Sequence, residues 1–87
     1  MINIAVIEDQ DDDFLLLKEN LEKYFSSKSI EITISRYVNG QLFIKEYNFQ
    51  FNFAIFDIEL PDANGMDLAK KLRAKDSKLP LFFVTND

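Results

Sequence analysis

Three short apolar runs constrain the fold of this chain more than any other feature of its sequence. They span residues 2–7, 53–56 and 80–84, and apolar side chains fill successive positions in most of each run. Such runs are typical of strands that are covered on both faces, as in parallel sheets. A fourth stretch, residues 30–38, alternates apolar and polar residues, which predicts a more exposed strand.

The segments between these strands have apolar residues at helical spacing. One helix is predicted after the acidic residues 8–13 and should end near Ser26, a second opens at Asn39, and a basic-faced third ends near Ser77. Residues 60–65 are predicted to form a loop. The apolar helix positions are Phe14, Leu17, Leu21, Tyr24 and Phe25, then Leu42, Phe43 and Tyr47, then Met66, Ala69 and Leu72. This alternation of strands and helices predicts an α/β fold with right-handed βαβ units and a parallel sheet.

Composition excludes several classes of protein. The chain has 87 residues, enough for one domain, and its 47% hydrophobic content predicts a packed core. Because Cys and His are both absent, disulfides and thiolate or imidazole metal sites are excluded. A net charge of −5 without a basic stripe makes nucleic acid and anionic membranes poor partners. No apolar run approaches the roughly 20 residues that span a bilayer, so we expect a cytoplasmic protein without membrane contact.

Polar residues follow three of the predicted strands at the point where each strand ends. Glu8 and Asp9 follow the first, Asp57 follows the third, and Thr85 follows the fourth. Parallel strands present their carboxyl ends at one edge of a sheet, where ligands bind. Neighbouring strands lie about 4.8 Å apart, so these side chains converge if the first and third strands are neighbours.

Such a cluster of carboxylates predicts a Mg²⁺ site that handles phosphoryl groups. Mg²⁺ relieves the repulsion between carboxylates and prefers oxygen ligands. Asp57 is the predicted nucleophile, and Thr85 the hydroxyl that contacts a phosphoryl oxygen. Asp9 is expected to hold the metal directly, Glu8 through water, and Glu59 through its backbone carbonyl.

Each assignment has a structural alternative. Residues 8–13 are also explained by helix capping and solubility, Asp57 by a turn, and Thr85 by its β-propensity. The joint placement of these residues after three separate strands favours the functional interpretation.

Three segments resemble the receiver domain of two-component response regulators. Residues 4–9 resemble its acidic-ended first strand, residues 83–85 its fourth strand, and residues 56–68 its phospho-acceptor segment, with the Asp–xxx–Pro–xxx–Gly pattern from Asp57 to Gly65. The resemblance implies a flavodoxin-like doubly wound parallel sheet with strand order 2-1-3-4. It also implies that the chain is a signalling domain and not an enzyme, controlling transcription in the full-length protein.

The resemblance assigns roles to the same polar residues. Asp57 resembles the residue that takes a phosphoryl group from the phosphohistidine of a sensor histidine kinase. Glu8 and Asp9 resemble the Mg²⁺ pair, although Glu8 stands where the family often has Asp. Thr85 resembles the switch hydroxyl.

The family continues beyond the position of Thr85 with a fourth helix, a fifth strand that carries a Lys, and a fifth helix. Residues 1–87 are therefore expected to be a truncated receiver domain without an effector domain. An open strand over residues 81–84 is expected to cause self-association. Residues 73–76 and 83–85 are similar to regulators of the LytTR type.

Three alternatives stay open. The chain is a degenerate receiver that acts only as an interaction or dimerisation module, or a Mg²⁺-dependent phosphohydrolase with an aspartyl nucleophile. Such hydrolases usually place the nucleophile after the first strand with a second Asp two residues on, whereas Glu8 and Asp9 are adjacent. A flavodoxin-like cofactor binder needs a glycine-rich phosphate loop, and residues 8–13 would repel phosphate without a metal. No cofactor other than Mg²⁺ is expected.

Overall fold

A computed structural model describes the backbone of residues 1–57 and 63–84, and the side chains of residues 1–56 and 67–84. The strands are β1 (Ile2–Ile7), β2 (Ile32–Tyr37), β3 (Phe53–Asp57) and β4 (Leu81–Val84). The helices are α1 (Asp11–Ser27), α2 (Gly40–Glu46) and α3 (Ala63–Lys75). All strand pairs are parallel, in the order β2-β1-β3-β4. The predicted α/β class and strand order 2-1-3-4 are confirmed.

Helices cover both faces of this sheet, which explains the apolar run in β1. Ile4 and Val6 pack with α1 on one face, while Ala5 and Ile7 pack on the other face with residues of α2 and α3. Successive side chains of a strand point to opposite faces, so both sets are buried. Among the described residues, no helix is long and apolar enough to cross a membrane.

The prediction that β4 is a buried strand is wrong. Phe82, Phe83 and Val84 are 53%, 43% and 37% exposed. Within the described part of the chain β4 pairs only with β3, at the end of the sheet. The rings of Phe82 and Phe83 contact Phe53 and Phe56 on β3, with centroids 5.5 and 5.6 Å apart, and leave their outer sides in solvent.

The predicted loop over residues 60–65 is partly wrong, because α3 begins at Ala63 and includes Asn64 and Gly65. Residues 60–62 lie outside the described part of the chain. Gly in a helix costs about 1 kcal/mol relative to Ala, but burial of an apolar face outweighs such local preferences. Leu72 supplies that burial here, since its side chain is fully enclosed in the core.

The start of α2 is specified by two neighbouring residues. The Asn39 side chain accepts a hydrogen bond from the Leu42 N–H at 2.7 Å and so caps the helix. Gly40 is buried, and a Cβ atom built on it would overlap Cδ1 of Leu68 on α3. The missing side chain therefore lets the two helices approach closely.

Candidate functional site

The strand register aligns the carboxyl ends of β1, β3 and β4. Ile7 is paired with Phe56 across β1 and β3, so Glu8 follows β1 at the level where Asp57 ends β3. Asp57 is in turn paired with Val84 on β4. The backbone of Asp57 thus lies at the same edge as Glu8, as the sequence predicts.

The structure describes only part of the predicted site. The side chains of Glu8 and Asp9 are described, whereas Asp57 is described by its backbone alone. Glu59 and Thr85 lie outside the described residues, so their predicted roles stay predictions. In the described part of the chain, no three acidic, His or Cys side chains form a group that could hold a metal ion.

Glu8 is buried, with 2% of its surface exposed. Its N–H donates to the backbone oxygen of Tyr37 at 2.9 Å, and its Oε1 atom accepts a hydrogen bond from the Gln10 N–H at 2.8 Å. Gln10 is the N-cap residue of α1 and makes no cap hydrogen bond with its own side chain. The Glu8 carboxylate therefore shapes the turn between β1 and α1.

Asp9 is exposed at the tip of this turn, between Glu8 and Gln10. Its carboxylate and that of Glu8 provide two oxygen-donor groups on adjacent residues, at the edge where β3 ends. Hard oxygen donors without nitrogen or sulfur ligands suit Mg²⁺. The chemistry of the described donors therefore fits the ion that the sequence predicts.

Sequence reasoning missed Arg36, which β2 brings to the same turn. Its Nε atom donates to the backbone oxygen of Glu8 at 3.1 Å, and its Nη1 atom lies 2.7 Å from Oδ1 of Asp11. The guanidinium also lies over the Phe14 ring, 4.9 Å from its centroid. The available signal was that Arg36 is the one charged residue in the sequence of β2. Its partners are 22 to 28 residues distant in sequence, so local patterns do not reveal them.

Comparison with known proteins identifies the relatives of this chain. The family model of the response regulator receiver domain matches residues 4–87. Transcriptional regulatory protein CssR of Bacillus subtilis (strain 168) is 33% identical over 82 residues, covering 94% of this chain and 34% of CssR. Transcriptional regulatory protein RprY of Bacteroides fragilis (strain YCH46) is 26% identical over 84 residues, covering 97% of this chain and 34% of RprY. The chain thus spans about a third of the length of these relatives.

Two solved structures share the fold. The non-phosphorylated HemR receiver domain from Leptospira biflexa has a TM-score of 0.68 and 27% identity, over 98% of this chain and 64% of that one. The MaeR response regulator bound to beryllium trifluoride has a TM-score of 0.72 and 21% identity, over 100% of this chain and 69% of that one. At that identity the second match shows the fold alone. The similarity to LytTR-type regulators stays a prediction.

Proposed function

Because this chain belongs to the response regulator receiver domain family, we propose that it accepts a phosphoryl group on Asp57 and thereby changes a surface that partners recognise. The observation that carries this proposal is the register of the adjacent parallel strands β1 and β3. It sets Glu8, the residue after β1, at the level of Asp57, the last residue of β3. Ligands of open parallel sheets bind at this edge. If Asp57 were only a turn residue, it would not require the acidic pair Glu8 and Asp9 after the neighbouring strand.

The proposed reaction transfers a phosphoryl group from the phosphohistidine of a sensor histidine kinase. A carboxylate oxygen of Asp57 forms a bond to phosphorus, and the bond from phosphorus to the histidine nitrogen breaks. The electron pair of that bond remains on the imidazole, which takes up a proton. Residues 1–87 contain no His, so the phosphohistidine of the donor lies outside this segment.

Glu8, Asp9, Asp57 and the backbone carbonyl of Glu59 are the proposed Mg²⁺ ligands. Bound Mg²⁺ would neutralise charge on the phosphoryl oxygens as they approach the carboxylates. Glu8 orders the turn that carries the site, Asp9 presents its carboxylate to solvent, and the Thr85 hydroxyl is proposed to contact the transferred group.

The biological setting is also a proposal. Both curated relatives are transcriptional regulatory proteins by name, which supports a role in transcriptional control. We assign the domain to the cytoplasm, and we expect the net charge of −5 to disfavour binding of nucleic acid by this segment.

Intact-mass measurement after incubation with acetyl phosphate and Mg²⁺ tests the acceptor. The chain is expected to gain one phosphoryl group, which Asp57→Asn abolishes. Asp67→Asn, which removes an exposed carboxylate from α3, is the matched control and should still be modified. Modification of Asp57→Asn, or none of the unaltered chain, would contradict the proposal. Rapid multiple turnover of a phosphate ester would instead favour the phosphohydrolase alternative.

A second candidate function, self-association through β4, is supported by the exposure of this strand. Leu81–Val84 contains no charged residue, and no Pro interrupts it. Such an edge lacks charged side chains and Pro, two of the features that keep sheet edges from pairing. We propose that a second copy of the chain adds its own β4 there, since an uncharged strand pairs with itself without charge repulsion.

Sedimentation over a range of concentrations tests this pairing. The chain is expected to associate as its concentration rises, and Phe82→Lys should shift it towards monomer. Leu16→Lys is the matched control, because Leu16 is 59% exposed on α1, away from β4. A monomer at every concentration, or equal effects of both substitutions, would contradict pairing at β4.

A further inference from the structure

Arg36 is placed to control the geometry of the acidic turn between β1 and α1. We propose that Arg36 is a positioning residue that holds the turn carrying Glu8 and Asp9, and so raises the affinity of this site for Mg²⁺. The inference rests on the proposed function above, since it assumes that this pair binds the ion. It assigns a role to a residue outside the predicted set of ligands.

The guanidinium of Arg36 contacts the turn at both of its ends. Nε donates to the Glu8 backbone oxygen at 3.1 Å, where the turn begins, and Nη1 pairs with Asp11 at 2.7 Å, where α1 begins. The ring of Phe14 supports the guanidinium from one side. Asp9 thus lies between Glu8 and Asp11, and the Arg36 side chain contacts both of these residues.

The planar shape of the guanidinium makes this double contact specific to Arg. Its nitrogens form a rigid fork that binds two acceptors at once, whereas the ammonium of Lys is a compact charge on a flexible stem. The Glu8 N–H is also bonded to Tyr37, the residue after Arg36. The end of β2 therefore fixes Glu8 through both of its backbone polar groups.

Two effects of Arg36 on a bound cation have opposite signs. Its positive charge repels Mg²⁺, while the contacts that it makes order the ligands. Arg36→Lys separates them, because it keeps the charge and removes the fork. A weaker site in this variant therefore reports positioning and not charge.

Titration of the isotope-labelled chain with Mg²⁺, followed at the amides of Asp9 and Gln10, measures the affinity directly. Substitution of a residue that hydrogen-bonds to metal ligands typically lowers metal affinity 10- to 100-fold. Arg36→Lys is therefore expected to raise the Kd for Mg²⁺ by about tenfold. Arg73→Lys is the matched control, because Nη1 of Arg73 also binds a backbone oxygen, that of Leu79, but does so beyond the end of α3. It should leave the Kd for Mg²⁺ unchanged within the error of the titration.

Hydrogen exchange without metal provides a second readout. The Gln10 N–H donates to the Glu8 carboxylate, so its exchange is expected to accelerate in Arg36→Lys, while that of Val6 in the centre of β1 stays unchanged. Equal acceleration at both amides would show a general loss of stability and overturn the positioning role.

A second pair of variants keeps the proposal testable if Arg36→Lys fails to fold. Asp11→Asn and Asp12→Asn each remove one exposed charge from the first turn of α1, but only Asp11 contacts Arg36. Asp11→Asn is expected to weaken Mg²⁺ binding more than Asp12→Asn does. Equal effects would overturn the proposal.

The outcomes distinguish this inference from the proposed function. If the unaltered chain binds Mg²⁺ and Arg36→Lys binds it equally well, only the role of Arg36 is wrong. If the unaltered chain shows no response to Mg²⁺, both fail. The inference stands if Arg36→Lys binds more weakly while Arg73→Lys does not.

Discussion

The hydroxyl of Tyr47 donates a hydrogen bond to Oδ2 of Asp76 at 2.5 Å and so joins the segments that follow α2 and α3. Lys75 strengthens the junction, since its Nζ atom lies 2.6 Å from the backbone oxygen of Tyr47. Burial, then the hydrogen bond and charge of Asp76, raises the pKa of Tyr47 to about 12. The hydrogen bond from Tyr47 is also the main cause that lowers the pKa of Asp76.

The stabilisation that Asp76 gives to the fold should be lost in acid. Because the folded state lowers the pKa of Asp76 below its ordinary value of 3.8, the stabilisation is fully present above pH 3.8 and is lost as the pH falls through the folded value. Asp76→Asn should therefore be less stable than the unaltered chain at neutral pH, with a difference that shrinks below pH 3.8. Urea unfolding over a pH series measures it. Asp67→Asn controls for the loss of one charge, and a difference that grew in acid would contradict the assignment.

The Tyr47 phenol should ionise late as the pH rises in the alkaline range. Folding raises the pKa of Tyr47 from 10.0 to about 12, so its stabilisation is present below pH 10.0 and is lost as the pH rises through about 12. In a spectrophotometric titration of the folded chain, Tyr47→Phe should remove a phenol that ionises late. Tyr24→Phe removes an exposed phenol and serves for comparison. Burial also raises the pKa of Tyr37, so the comparison counts the phenols that ionise late. An equal number in Tyr47→Phe and in the unaltered chain would contradict the raised pKa of Tyr47.

The third prediction concerns the close approach of α2 and α3. Gly40→Ala places a Cβ atom against the Leu68 side chain and is expected to lower the free energy of unfolding by about 1–3 kcal/mol, as overpacking does. The Leu68→Ala background removes the obstruction, so the same substitution should cost less there. A double-mutant cycle of urea unfolding measures the coupling. Additive effects would show that the contact with Leu68 is not the cause.

The fourth prediction concerns the core between the sheet and α3. Leu72 is fully buried, so Leu72→Ala should reduce the free energy of unfolding by about 2–5 kcal/mol through lost burial and a cavity. Leu16→Ala, the same change at an exposed position of α1, should cost about 0.5 kcal/mol or less. Chemical denaturation of both variants compares them. Similar losses would mean that Leu72 is not enclosed as described.

Sequence patterns predicted the helices and strands well where neighbouring residues alone decide the structure. Apolar periodicity and the acidic start of α1 depend on neighbouring residues, and the observed helix ends at Ser27, beside the predicted Ser26. The same reasoning failed at Gly65, because a local preference of about 1 kcal/mol yields to the burial of Leu72 in the same helix. Tyr24 has the expected helical spacing but is exposed, since spacing alone does not show where the sheet stops covering a helix.

The sequence by itself determined the chemistry of the candidate site: acidic residues after β1 and β3, with no His or Cys to compete as ligands. Only the tertiary structure decided which groups support that chemistry. Glu8 is buried and Arg36 binds its backbone because parallel pairing sets Tyr37 beside Ile7. Strand register is a property of distant segments packed together, so neighbouring residues in the sequence do not reveal it.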